Sequence, residues 1–235
     1  MALNTSKGNM YEFITHTWNT VKGTCTHDCS YCYVKRWGSL NPVRLDEKEF
    51  RTKLGDGNFI FVGSSNDMFA SAVPAEWIQR TLDHCKKFDN RYLFQTKNPV
   101  RLMDFELPQN SVVCTTIETN RFYPEIMNNS PLPVHRVEGV SLINLPKYVT
   151  IEPILDFDLE EMIDLIRKCN PVQVNIGADS GNHRLPEPSA EKVLQLIVGL
   201  EQFTLVKKKK NLRRIIGIEL LDESLSKNFT KKLGS

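Results

Sequence analysis

Short runs of apolar, β-prone residues recur along the chain, and most are followed by a loop and then by apolar residues at helical spacing. The pattern predicts strands at Phe13–Trp18, Phe59–Gly63, Tyr92–Thr96, Val112–Ile117, Tyr148–Glu152 and Val172–Gly177. Between them, Ile78, Leu82 and Cys85 follow Pro74 at helical spacing. Leu159, Met162, Ile163 and Ile166 form an i, i+3, i+4, i+7 stripe behind the cap-like Asp158 and Glu161, and Val193, Leu196, Ile197 and Leu200 repeat it after Pro188-Ser189. Strand alternating with helix at this tempo means βα units on a parallel sheet. The strands are apolar nearly throughout, as doubly covered strands are, which suits a barrel and an open sheet equally.

With 235 residues the chain suffices for one sizeable core, and 40% hydrophobic with 25% charged residues excludes collagen-like, disordered and coiled-coil classes. No apolar run approaches a membrane span and residues 1–12 lack a signal-peptide centre, so a cytoplasmic protein without membrane contact is expected. The net charge of +2 is unevenly spread. Residues 207–235 carry nine Lys/Arg against three acidic residues, a local +6 that leaves −4 for the rest. A boundary is therefore expected at 206/207, with a domain over 1–206 and a basic extension over 207–235. That extension reads either as a solvated tail or as a footprint for nucleic acid. Within it, Ile215–Leu221 could form one more strand.

Six cysteines are present, three of them within eight residues at Cys25, Cys29 and Cys32, while Cys85, Cys114 and Cys169 stand alone. Three clustered thiols cannot pair off, so a metal or redox group is the natural reading. The Cys-x3-Cys-x2-Cys loop follows the first strand and precedes an expected helix. It can ligate three irons of a [4Fe–4S] cluster and leave the fourth open. A zinc site completed by His27 or His16 is the competing reading, although no second ligand pair follows.

In a βα architecture the functional rim is the set of loops at the carboxyl ends of strands. That rule selects Asn19–Cys32, Ser64–Ala70, Lys97–Pro99, Glu118–Arg121, Glu152–Asp156 and Ala178–Arg184. Gly63 ends a strand where a side chain would block close approach, so Gly63–Asp67, with Ser64 and Ser65, reads as a cofactor cradle or as an ordinary turn. Glu118 ends the fourth strand. If it points inward, Thr116 and Cys114 share its face, and Cys114 is either a hydrogen-atom donor or an inert core thiol. Glu152 closes an apolar strand and needs a partner, for which Lys97 or the substrate is expected. Asp179, His183 and Arg184 lie on a loop that reads as a lid or a long turn. Trp18 and Trp37 flank the cysteine loop, with Trp37 and Tyr33 expected to shield it from water.

Cys25-x3-Cys29-x2-Cys32, with Tyr31 before the third cysteine, resembles the defining motif of the radical S-adenosylmethionine (SAM) enzymes. His16-Thr-Trp-Asn19, Gly63-Ser64, Asp67-Met-Phe69, Thr96-Lys-Asn-Pro99, Ile117-Glu118, Ile151-Glu-Pro153 and Gly177-Ala-Asp-Ser-Gly181 further resemble markers of a little-characterised radical-SAM-like family of phages and bacteria. The resemblance implies an α/β fold, a partial (β/α)6 TIM-like barrel, with the cluster on Cys25, Cys29 and Cys32 at its top. It implies SAM as second cofactor, with Tyr31 touching adenine, the Gly63–Asp67 turn holding the methionine moiety, and Glu118 accepting from the ribose hydroxyls, or else Asn175 or Asp179. It also implies an external one-electron reductant of flavodoxin or ferredoxin type. Where many such enzymes carry a Gly-Glu pair after the second strand, this chain has Ser64-Ser65-Asn66-Asp67. A nucleic-acid substrate, for repair or modification, is the preferred expectation. The alternative is a non-catalytic iron–sulfur or zinc protein that binds nucleic acid through its basic tail.

Overall fold

The computed structural model describes residues 3–7, 10–38 and 41–217. An eight-stranded sheet organises them, in the order β1 (Asn4–Thr5), β2 (His16–Trp18), β5 (Phe59–Val62), β6 (Arg91–Gln95), β7 (Ser111–Thr116), β8 (Lys147–Ile151), β9 (Gln173–Ile176) and β10 (Leu205–Lys208). Only the β1–β2 pair is antiparallel; every other neighbouring pair is parallel. A separate hairpin joins β3 (Val21–Lys22) to β4 (Arg44–Leu45) and brackets the cysteine loop. The helices are α1 (Ala75–Cys85), α2 (Pro124–Met127), α3 (Pro133–Ser141), α4 (Leu159–Cys169), α5 (Ala190–Glu201) and α6 (Arg213–Ile216).

Strands β5 to β9 are largely buried on both faces, which explains their apolar sequences, and the period of two divides them between two cores. Ile60, Val62, Phe94, Val113, Val149, Ile151, Val174 and Ile176 face outward onto Ile78, Leu82, Val140, Met162, Ile166, Val193, Leu196 and Leu200 of the helices. Phe59, Phe61, Leu93, Val112 and Cys114 face inward, where Tyr11 and Ile14 plug the interior. Burying each large side chain contributes roughly 1.5–3 kcal/mol, so the two layers together hold the half-open barrel in shape. The polar ends of the inner rows are left to form a chamber above the plug.

All six predicted strands are present, each within a residue or two except the first, which pairs only from His16. The sheet has one parallel strand more than the six expected, because β10 adds to β9 with Val206 opposite Val174. The boundary expected at 206/207 thus falls within a strand, and residues 207–217 pack with the body. Of the strand expected at Ile215–Leu221, residues 215 and 216 instead end the short helix α6, closed by Gly217 at φ 85°; residues 218–221, with the chain on to 235, lie outside the described residues. Asp158 does precede α4, but its carboxylate does not cap it. Its oxygens instead receive Arg121 Nε at 2.9 Å and Nη2 at 2.6 Å. Ser189 does cap α5, through Lys192 N at 3.3 Å. No helix among the described residues is long and apolar enough to cross a membrane.

Candidate active site

A cavity of about 750 Å³ opens at the carboxyl ends of the parallel strands. Tyr11, Phe61, Gln95 and Thr116 line its depth, and the cysteine loop, Gly63–Asp67, Lys97, Glu152, Pro153, Ser180 and Lys209 also line it. It lies within the range of about 300–1,000 Å³ common for small-molecule sites.

The cysteine loop is held at both ends. At its root Gly23 adopts φ +102°, and an added Cβ would sit 2.4 Å from Pro42 O, so only glycine permits this approach. Asn66 Nδ2 donates to Gly23 O at 2.9 Å. On its far side Ser30 N donates to Ile126 O and Asn129 N to His27 O, tying the loop to α2 and the turn after it. The helix expected after the loop is a single 3₁₀ stretch, Tyr33–Trp37. Cys25, Cys29 and Cys32 are all free thiols and all line the cavity. Burial first, and then the nearby Asp67 carboxylate, push the Cys25 thiol up to about 11. Cys29 Sγ lies 3.1 Å from Ser130 Oγ. No group of three or more His, Cys, Asp or Glu side chains is gathered as a metal site among the described residues. The two histidines considered as a fourth ligand are engaged elsewhere: His27 Nε2 donates to Asp67 at 2.8 Å, and His16 Nδ1 meets Thr15 Oγ1 at 2.9 Å.

Asp67 is the knot of the wall. Its Oδ2 accepts from His27 Nε2 at 2.8 Å, Thr96 Oγ1 at 2.9 Å and Lys97 N at 2.8 Å, while Oδ1 accepts from Phe69 N at 3.0 Å. Burial opposes its charge, but these donors hold the carboxyl below the usual range. The cysteine loop, the turn after β5 and the end of β6 therefore meet on one side chain. Gly63, at φ +81°, turns the chain where a Cβ would press on Asn66 O at 3.2 Å. Asn19 Oδ1 supports the turn by accepting from Ser65 N at 2.9 Å and Ser64 Oγ at 3.2 Å. Tyr33 donates its hydroxyl to Ser64 O at 2.7 Å. Asn66 keeps a buried side-chain carbonyl, Oδ1, without a hydrogen-bond partner.

Glu118 has no solvent exposure and does not line the cavity. One oxygen receives Arg136 Nη1 at 2.6 Å, the other the hydroxyl of Tyr31, with Lys97 Nζ at 3.7 Å. Burial works against its charge, and Arg136 and Lys97 outweigh burial. The acceptor expected for ribose hydroxyls is thus occupied by protein donors, and it fixes Tyr31, which does line the cavity. Lys97, expected to pair with Glu152, pairs with Glu118 and lies 5.3 Å from the centre of the Tyr31 ring.

Glu152 instead meets Lys209 Nζ at 2.5 Å and Asn211 Nδ2 at 3.0 Å. The reason is β10: Lys209 N donates to Ile176 O at 2.8 Å, and the inward alternation Leu205, Lys207, Lys209 delivers its side chain to the end of the neighbouring strands. Lys209 Nζ lies 4.8 Å from the centre of the Tyr11 ring, and Tyr11 donates to Gln95 Oε1 at 2.9 Å, whose amide donates to Thr116 at 3.1 Å. Tyr11, Gln95, Arg136 and Lys209 were not singled out from the sequence. The period of two carried past Val206 is the signal that marks Lys209.

Besides Glu118, three expected residues stand outside the cavity. Cys114 is fully buried in the inner core, where burial raises its pKa strongly. Asn175, 2% exposed, receives the Gln173 amide at 2.8 Å. Asp179 closes its own turn, accepting from Gly181 N at 2.9 Å and His183 Nδ1 at 2.6 Å, while its neighbour Ser180 reaches the cavity. Trp18 is buried on the outer face against His84, away from the cavity, and Trp37 is 58% exposed, so Tyr33 alone of that pair lines the wall.

The fold is that of known enzymes. A double mutant of spore photoproduct lyase, solved with bound S-adenosylmethionine and dinucleoside spore photoproduct, superposes with TM-score 0.63 at 12% identity, over 85% of this chain and 78% of that one. The lyase with the dinucleoside alone gives TM-score 0.62 at the same identity and coverage. Methylornithine synthase aligns with TM-score 0.49 at 10% identity, over 81% of this chain and 63% of the other. No family model matches the chain, and no curated protein does. The expected partial barrel is therefore the fold this chain shares with the lyase.

Proposed function

We propose that the chain is a radical SAM enzyme that carries a [4Fe–4S] cluster on Cys25, Cys29 and Cys32 and acts on a nucleic-acid component. The observation that carries this reading is one juxtaposition: three free thiols of a Cys-x3-Cys-x2-Cys loop share a cavity with the glycine turn Gly63–Asp67, at the carboxyl ends of parallel strands. The donor set fits the group, since three thiols on one loop suit a cluster with one open iron. Their sulfurs would be drawn together by the group they ligate, because binding and local folding are coupled at such sites. When bound, the cluster supplies one electron that splits SAM into methionine and a 5′-deoxyadenosyl radical.

The chain's own residues do the rest. Gly63 lets backbone approach the methionine moiety. Asn66 Oδ1, buried and lacking a partner, would accept from its ammonium group, in the place where related enzymes use a glutamate. Tyr31, locked by Glu118 and Arg136, presents a fixed ring for adenine. Glu152, Lys209, Gln95 and Thr116 line the deeper chamber and would meet the substrate. A dinucleoside bound by the lyase of the same fold supports a nucleic-acid component as that substrate. The electron would come from a flavodoxin- or ferredoxin-type reductant.

Anaerobic reconstitution of the wild-type chain and of Cys→Ala variants at 25, 29, 32, 85 and 169 tests the cluster. Roughly four irons per chain are expected in the wild type and at 85 and 169, with cluster absorption lost at 25, 29 and 32. Wild-type iron content in Cys29→Ala, or one zinc and no iron in the wild type, contradicts the reading and favours a non-catalytic metal protein.

A further inference from the structure

Among the described residues, Lys97 shares its carboxylate partner with a second cation. Glu118 is one buried carboxylate with two cations on it: Arg136 at 2.6 Å, itself without exposure, and Lys97 at 3.7 Å, with only 16% of its side chain exposed. Arg136 and the Tyr31 hydroxyl already occupy both carboxylate oxygens, so Lys97 is the more loosely paired of the two cations. Asp67, the other buried carboxylate of this wall, meets Lys97 only through its backbone N–H and makes no ion pair with the ammonium. A buried, incompletely compensated ammonium is costly unless a negative partner is present. Lys97 lines the same cavity as all three cysteines. Burial lowers its basicity, and the negative groups around it, Glu118 among them, raise it overall and keep the ammonium charged.

We propose that Lys97 is the counter-charge of the cysteine-bound cluster and raises its reduction potential. This rests on the cluster reading above. Three thiolates on a [4Fe–4S]²⁺ core sum to −1. Uptake of one electron from a flavodoxin- or ferredoxin-type donor gives [4Fe–4S]¹⁺ and a sum of −2, with no bond made or broken. A fixed cation on the wall of the same cavity stabilises the −2 state more than the −1 state. Lys97 therefore acts through the cluster as a positioning charge and need not touch the substrate.

The test is a redox titration of the reconstituted, SAM-free protein at constant pH, comparing the wild type with Lys97→Met, Lys97→Gln and Lys97→Arg. Lys97→Met and Lys97→Gln should bind as much iron as the wild type and shift the reduction equilibrium by tenfold or more toward the oxidised cluster, which is 59 mV or more for a one-electron couple. Lys97→Arg should stay near the wild-type potential. An unchanged potential in Lys97→Met overturns the proposal, and weakened SAM binding with that unchanged potential would make Lys97 a carboxylate holder instead. Failure of both neutral variants to fold while Lys97→Arg folds would also overturn it, by assigning Lys97 to the scaffold. A wild type that takes up no iron is a separate outcome, because it removes the cluster reading itself.

Discussion

Glu118 and Asn66 would both be chosen as cofactor contacts by their position at strand ends, yet their surroundings separate them. Glu118 sits in a buried pair with Arg136, so Glu118→Ala would strand a guanidinium in the core and cost about 3–5 kcal/mol of stability, read as a fall in the denaturant midpoint. A midpoint equal to wild type would mean that Arg136 finds another partner and that Glu118 does not anchor Tyr31. Asn66 differs because its Oδ1 has no partner to lose. Asn66→Ala also removes the Nδ2 bond to Gly23 O, so it is compared with the wild type at matched iron content, where it should weaken SAM binding by about 1.5–3 kcal/mol, the scale of a hydrogen bond to a charged group. Calorimetry with unchanged affinity would move the ammonium contact elsewhere. Asp67 adds a pH signature. Its folded pKa is depressed, so its contribution to stability is full above the ordinary carboxylate pKa of about 4 and is lost as pH falls through the lower folded value. Asp67→Asn should flatten the acid side of the stability–pH profile while lowering stability at pH 7. An unaltered acid slope would show that the slope comes from other carboxylates.

Elements place these residues, and β10 is the one whose role was least visible in sequence. Leu205–Lys208 opens a lysine run that has the composition of a solvated tail, and nothing in composition distinguishes a strand from an extension there. Structure puts Lys209 on Glu152 and Arg214 on Glu187, so part of the local basic charge serves ion pairs in the body. A chain ending at Val206 should consequently be poorly soluble or melt early, because it bares the β9 edge and leaves Glu152 without Lys209. Full solubility and an unchanged melting temperature would refute the structural role of this segment. The strand and helix pattern of the body was legible because doubly buried strands read as unbroken apolar runs and the helices carry clean stripes. The cysteine loop and the glycine turn were legible from spacing alone. Partnerships such as Glu152–Lys209 and Glu118–Arg136 were not, since they join residues 57 and 18 positions apart whose meeting depends on sheet order.

At the scale of the molecule, a half-open barrel with a plugged interior leaves a chamber of about 750 Å³ at the carboxyl end, lined by thiols on one side and by hydrogen-bonding groups on the other. That arrangement suits a reaction in which one part of the wall holds an electron-transfer group and the opposite part holds the molecule to be attacked. The fold that carries this chamber is shared with spore photoproduct lyase, solved with S-adenosylmethionine and a dinucleoside bound. Cleavage of SAM in this chamber is directly measurable. Reconstituted protein, incubated with SAM and a strong one-electron reductant under anaerobic conditions, should release 5′-deoxyadenosine and methionine in equal amounts, and the Cys29→Ala variant should release neither. Iron-loaded wild-type protein that leaves SAM intact under those conditions would contradict the account.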